Sequence, residues 1–265
     1  MFEVTARLKI REGKLEGFKQ QAAEMMRQAK EKDTKTLRYD WFLSDDGTAC
    51  EVLEGYVDAD GLLEHSDHVW EARARLFQDF AYGHDMTIYG EPSPALAETF
   101  EAMADLVTFH RYSFFQGQDA EVEVPLASAG HGERRDTVFE ATARLKIRAG
   151  GLEEFKEQAA EIVSLARAND TKPLRYDWFL SEDGTECEVR EAYVDADALL
   201  EQQHRIGEAK AKLFRDFVAG HRMTFYGEPS PALAAALEAM GATFDQFSFF
   251  QGLGAEVERR EEVPA

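Results

Sequence analysis

The sequence predicts an α+β protein built as two ferredoxin-like (βαββαβ) domains packed sheet to sheet into a pseudo-dimeric α/β barrel. Three observations predict it. The chain repeats itself, each repeat alternates strand and helix periodicity in the order βαββαβ, and a sheet with helices on one side needs cover on the other. The repetition is plain in the residues. Phe2-Glu3-Val4-Thr5-Ala6-Arg7-Leu8-Lys9-Ile10 returns as Phe139-Glu140-Ala141-Thr142-Ala143-Arg144-Leu145-Lys146-Ile147, and Leu37 to Ser44 returns unchanged as Leu174 to Ser181. Tyr89 to Leu96 returns as Tyr226 to Leu233, and Ser113-Phe114-Phe115-Gln116-Gly117 as Ser248 to Gly252. A period this long lies outside the solenoid range, so each copy reads as a whole domain. The expected organisation is a first domain over 1–117, a linker over 118–138, a second domain over 139–252 and a flexible acidic tail over 253–265.

The elements follow in order along the first copy. Phe2, Val4, Ala6, Leu8 and Ile10 alternate with polar residues, the period of a strand with one dry face. Gly13 interrupts it. Leu15, Phe18, Ala22, Met25 and Ala29 then recur at helical spacing, to an expected end near Lys32. Leu37 to Leu43 and Cys50 to Val57 read as two strands of a hairpin, because Asp46-Gly47 suits the positive φ of a tight turn. Asp58 is the expected N-cap of a second helix carrying Leu62, Leu63, Val69, Ala72, Leu76 and Phe80, with Gly83 as its stop. His84 to Tyr89 reads as a fourth strand. Ser93 then caps a short helix with Pro94 at its first position, and Tyr112 to Gln116 forms a last aromatic strand.

Composition bounds the function. With 51 acidic against 30 basic residues, the formal charge of −21 repels phosphate backbones and anionic lipid, so neither nucleic acid nor membrane is an expected partner. No apolar run approaches a membrane span, and the amino terminus has no basic segment leading into an apolar stretch. Cys50 and Cys187 hold equivalent strand positions and are expected to be free, buried thiols in a reducing compartment. The expected location is cytoplasmic. There is no Gly-rich phosphate loop, no Walker-type lysine motif, no CxxC and no nucleophile elbow, so a flavin or nicotinamide cofactor has no support in the sequence.

Several motifs together carry a resemblance. They are the βαββαβ order, the Gly13-Lys14-Leu15-Glu16-Gly17-Phe18 helix start, Leu37-Arg38-Tyr39-Asp40-Trp41-Phe42, Glu54 followed by Tyr56, and Asp58-Ala59-Asp60. In these the chain resembles the antibiotic-biosynthesis-monooxygenase-like group of dimeric α/β barrels, from residue 2 to about 90 and again from 139 to about 227. The resemblance implies a cavity between sheet and helices in each half. It also implies a cofactor-independent monooxygenase acting on a small aromatic or quinol substrate. A non-catalytic small-molecule-binding or accessory protein, and an isomerase or cyclase using the same cavity, stay open beside it. The group's haem-degrading branch relies on an asparagine in the first strand, where this chain has Thr5 and Arg7, so no haem is expected.

The hairpin register identifies the residues facing such a cavity. A two-residue Asp46-Gly47 turn pairs Tyr39 with Glu54 and puts Leu37, Tyr39, Trp41, Cys50, Val52, Glu54 and Tyr56 on one face. Glu54 is the anomaly, a carboxylate among aromatics with the Tyr39 hydroxyl opposite. It is the candidate acid or base, with Glu191 as its twin. The alternative is a structural group satisfied by a tyrosine, or by an ion pair with Arg7 or Arg38. His84 and His221 open the fourth strand of each copy and are further catalytic candidates, or else caps on the preceding helix. Tyr39, Trp41 and Tyr56, with Tyr176, Trp178 and Tyr193, are the candidate substrate-binding residues; a tryptophan on an inward face is equally a core residue. His65 and His68 share a helix face, but Gln202 and Arg205 replace them in the second copy and no third ligand can be named, so no metal is expected. The two halves should pair within the chain, leaving room for a further homo-oligomer.

Overall fold

The structure, a computed structural model, describes residues 1–117, 138–168, 173–239 and 243–253. All but the last residue of the expected linker, and all but the first of the expected tail, lie outside the described residues. The first half runs β1 (Phe2–Ile10), α1 (Leu15–Lys32), β2 (Thr36–Ser44), β3 (Ala49–Tyr56), α2 (Ala59–His68), α3 (Trp70–Asp79), β4 (Ala81–Tyr89), α4 (Pro94–Met103) and β5 (Val107–Gly117). The second half repeats this as β6 (Phe139–Ile147), α5 (Leu152–Arg167), β7 (Arg175–Ser181), β8 (Glu186–Tyr193), α6 (Ala196–Arg205), α7 (Gly207–Phe217), β9 (Val218–Tyr226), α8 (Pro231–Ala239) and β10 (Phe244–Gln251). The ten strands close into one barrel in the order β1-β3-β2-β10-β9-β6-β8-β7-β5-β4.

Closure depends on the last strand of each half. β5 runs parallel to β4 of its own half and antiparallel to β7 of the other. β10 does the same with β9 and β2. The aromatic strands that end each half are therefore the two joints of the barrel. They leave no open edge among the described strands.

Local chemistry sets most boundaries. Asp58 accepts from the Gly61 amide at 2.9 Å and Ser93 from the Leu96 amide at 3.3 Å, capping α2 and α4 as their sequences predict. The hairpin register is the expected one, with Leu43 opposite Cys50 and Tyr39 opposite Glu54. Asp46 holds its turn by accepting from the Thr48 amide at 3.0 Å, and Gly47 takes φ +67°. Two expectations need correction. The expected second helix is two helices, broken at Val69 (φ −101°, ψ 4°). Gly83 does not stop a helix: α3 ends at Asp79, and Gly83 (φ +65°) sits inside β4 where its register with β1 slips between Arg7 and Lys9. A glycine relieves that β-bulge, because other residues resist positive φ.

Each sheet has a dry face and a charged one. Helix α1 packs Phe18, Ala22, Met25 and Ala29 onto Tyr39, Trp41, Cys50 and Val52, and α5 repeats the arrangement. The opposite faces meet inside the barrel. There the halves are joined by buried ion pairs beside aromatic clusters such as Phe42, Leu53, Tyr226 and Phe247. Arg38 bridges to Glu140 at 2.6 Å and Arg175 to Glu3 at 2.8 Å, each joining one half to the other. Tyr226 donates to Glu51 at 2.5 Å, and its counterpart Tyr89 donates to Glu188. Arg144 pairs with Glu188 at 2.7 Å and Arg7 with Glu51 at 3.3 Å. Burial alone would raise the Glu3 carboxyl, but Arg175 and Arg190 outweigh it and hold it down at about 2.

Candidate functional site

In the first half a cavity lies between the dry sheet face and α1, α2 and α3. β2 and β3 contribute Tyr39, Trp41 and Glu54, α2 contributes His65, α3 contributes Arg73, and β4 contributes His84. The cleft with its mouth spans about 420 Å³, of which the centre of a water molecule can occupy about 30 Å³. That interior has room for a water or two.

Glu54 is buried here, 7% exposed, and its Oε2 accepts from the Tyr56 hydroxyl at 2.7 Å. Register sets Tyr39 opposite Glu54, but it is Tyr56, two residues along the same strand, that makes this hydrogen bond. Neither arginine considered from the sequence takes Glu54 as an ion-pair partner among the described residues: Arg7 pairs with Glu51, and Arg38 with Asp40 and Glu140. Burial raises the Glu54 carboxyl above its ordinary range, and the pull of His65 and the Tyr56 hydroxyl only partly offsets it.

His65, weighed in the sequence only as a metal ligand, lines the cavity. Its Nδ1 lies 2.6 Å from Asp33 Oδ2, and the His68 Nδ1 lies 2.8 Å from Asp33 Oδ1. Burial opposes ionisation of Asp33, but its bonds to His65, His68 and Thr36 prevail and the carboxyl stays below its usual range. An ionised Asp33 can only accept, so it fixes Nδ1 of His65 as a donor, and in the neutral ring the lone pair is then on Nε2. The ring is 3% exposed and packs edge-on against Tyr39 at 4.5 Å. The i, i+3 pair visible in the sequence therefore converges on a carboxylate from the end of α1. The sequence signal was there in Asp33, Glu54 and His65, but nothing in their spacing joins three separate elements.

The remaining candidates divide. His84 lines the cavity stacked on Phe77 at 4.7 Å. Burial and the nearby Arg73 charge bring it down to about 4, so it stays neutral near pH 7 and is a weak base. Trp41 is 1% exposed and its Nε1 has no hydrogen-bond partner among the described residues. In the second half Tyr176, Trp178 and Glu191 line a smaller cavity, with space for a water centre of about 10 Å³. Tyr193 donates to Glu191 at 2.6 Å, as Tyr56 does to Glu54. His221 is exposed and is not part of that lining, so this candidate is not brought to the second site. Gln202 stands where the first half has His65, and Lys210 where it has Arg73.

Two solved structures share this architecture across both halves. One, named "putative monooxygenase", is from Fusobacterium nucleatum, at 13% identity and a TM-score of 0.58 over 84% of this chain and 89% of that chain. The other, of the same name, is from Lactobacillus acidophilus, at 10% identity and a TM-score of 0.54 over 84% of this chain and 90% of that one. The chain has the antibiotic-biosynthesis-monooxygenase-like barrel fold. A single-domain protein from Nitrosomonas europaea, named "putative antibiotic biosynthesis monooxygenase", is also similar, at 17% identity, 36% of this chain, 94% of that chain and a TM-score of 0.32. No family model matches the chain, and no curated protein does. At these identities the likeness speaks to the barrel and not to the residues in its cavities. Among the described residues no helix is long and apolar enough to cross a membrane.

Proposed function

We propose that the protein is a cofactor-independent monooxygenase of a small electron-rich aromatic or quinol, with the first-half cavity as its active site and each half a ferredoxin-like unit. One observation carries this reading: His65, paired with Asp33, and a buried Glu54 line one cavity with Tyr39 and Trp41. His65 Nε2 takes a proton from the substrate, and Asp33 stabilises the imidazolium that results. Arg73, held at the cavity by Ser66 at 3.3 Å, offers a fixed positive charge to the substrate anion. The anion gives one electron to O₂, and recombination of the radical pair forms a carbon–oxygen bond. Glu54, favoured in its protonated form by burial, donates to the distal peroxide oxygen. The hydrogen remaining on the oxygenated carbon is then lost as a proton, and its C–H electrons form the C=O bond as the O–O bond breaks. The departing hydroxide takes up that proton and leaves as water, the other oxygen staying as a new carbonyl. Tyr39 and Trp41 flank the ring. A ring enters only if the side chains at the mouth, Phe77 and His84 among them, swing aside.

The test is oxygen uptake with a panel of quinols and polyphenols. His65→Gln, which installs the second-half residue, should cost roughly 10²–10⁴ in rate, the usual share of a general base. Rearranged product without oxygen uptake would replace this reading by an isomerase or cyclase. Saturable binding with no turnover would leave a binding protein.

A further inference from the structure

The second cavity differs from the first at the positions that carry its chemistry. α7 presents Lys210 where α3 presents Arg73, and α6 presents Gln202 where α2 presents His65. An arginine is always charged and never a nucleophile, whereas a lysine amine becomes one on losing its proton. Lys210 lines this cavity together with Glu191, Tyr176, Trp178, Leu213 and Phe214. Its Nζ donates to Gln203 Oε1, and its ammonium lies over the Phe214 ring, 5.6 Å from the centroid. Trp178, 2% exposed, holds its Nε1 without a partner among the described residues, an indole donor inside the lining and ready for an acceptor. Gln202 is fully buried with both ends of its amide unpartnered among the described residues. The cleft with its mouth spans about 270 Å³, and the half-buried Lys210 is part of its lining.

We propose that the second cavity is a carbonyl-binding site in which Lys210 condenses with a small aldehyde or ketone to form an imine. The Nζ lone pair forms a bond to the carbonyl carbon while the carbonyl oxygen takes the Glu191 proton, giving a carbinolamine. The nitrogen then loses a proton to Glu191, which passes it to the carbinolamine hydroxyl. The C–O bond breaks, water leaves as the C=N bond forms, and the iminium gives its remaining N–H proton back to Glu191. Carbonyl plus amine gives imine plus water, with no oxidant or reductant. Burial supports the amine form by lowering the Lys210 ammonium from its ordinary value, against the opposing pull of Glu191, and the same burial raises Glu191. Trp178 supplies the donor that orients the carbonyl oxygen.

The experiment uses the intact chain with limiting formaldehyde and cyanoborohydride at pH 7, followed by peptide mass mapping. A lowered ammonium leaves more free amine near neutrality, so Lys210 should be alkylated faster than any surface lysine, and the excess should vanish in denaturant. The protein with Lys210→Arg, which installs the first-half residue, should lose only that one modification. Labelling of Lys210 no faster than of surface lysines, or an excess that persists in denaturant, overturns the proposal. Neither readout involves oxygen, so the result is independent of the oxygenase reading.

Discussion

Glutamine at position 54 separates catalysis from folding, because so little of the fold depends on the charge of Glu54. Its Oε2 accepts from Tyr56 at 2.7 Å, and its twin Glu191 accepts from Tyr193 at 2.6 Å. Glutamine keeps an acceptor for either tyrosine, so Glu54→Gln/Glu191→Gln should lose about 1 kcal/mol per site at most, about 2–4 °C in Tm for each kcal/mol in a chain of this size. The sign depends on pH. Burial raises both folded carboxyls above the unfolded value of roughly 4.3. Their contribution to stability is fully present below that value and is lost as the pH rises through the folded pKa. Near pH 4 the double variant should therefore melt slightly below the wild type, and the gap should close or reverse by pH 8. The other titrating groups are common to both proteins and cancel. Turnover should fall roughly 10²–10⁴-fold throughout. Calorimetry at pH 4, 6 and 8 beside an oxygen electrode decides it. A deficit of several kcal/mol at every pH, with turnover intact, would refute the argument.

Three further outcomes follow from the buried ion pairs and the thiols. Arg38→Met removes the buried guanidinium that meets Asp40 at 2.8 Å and Glu140 at 2.6 Å, and should cost about 3–5 kcal/mol in chemical denaturation. Glu3, Glu140, Glu188 and Asp33 are all held below their ordinary values in the fold, so the stability they add is present above roughly pH 4.3 and lost as the pH falls towards 2; an acid titration followed by circular dichroism should show the loss in that window. Cys50 and Cys187 are free and fully buried, and burial raises both thiols, so both should react slowly with a thiol reagent in native protein and rapidly in denaturant.

What could be read from the sequence was what a single element encodes. The alternation of Phe2 to Ile10 gives β1, Asp46-Gly47 fixes the hairpin register, and register alone sets Tyr39 opposite Glu54. The caps at Asp58 and Ser93 are likewise local. The break at Val69 was not legible, because its apolar residues keep helical spacing across the break. Nor was the Asp33–His65 contact, which spans 32 residues and joins the end of α1 to α2. The role of β5 and β10 was hidden for a similar reason. An aromatic strand does not record which neighbour it will pair with, and here it pairs on one side with the other half.

The two halves have diverged unevenly, and the barrel explains where. Inside it Glu3 and Glu140, Arg7 and Arg144, Arg38 and Arg175, Glu51 and Glu188, and Tyr89 and Tyr226 are identical pairs. Each contributes to contacts that bind one half to the other or support a residue that does. Losing one partner leaves a buried charge unpaired, which costs several kcal/mol, so change on this face is penalised in both copies at once. Leu53 against Arg190 is an exception that obeys the rule, since Arg190 adds a pair to Glu3 and removes none. The helix-facing cavities have no such mutual dependence. There His65 has become Gln202, Ser66 Gln203 and Arg73 Lys210, without disturbing either Tyr–Glu hydrogen bond. A second half that must remain to close the barrel is thus free to change what its own cavity does. That freedom is the physical reason to expect different chemistry from the two cavities.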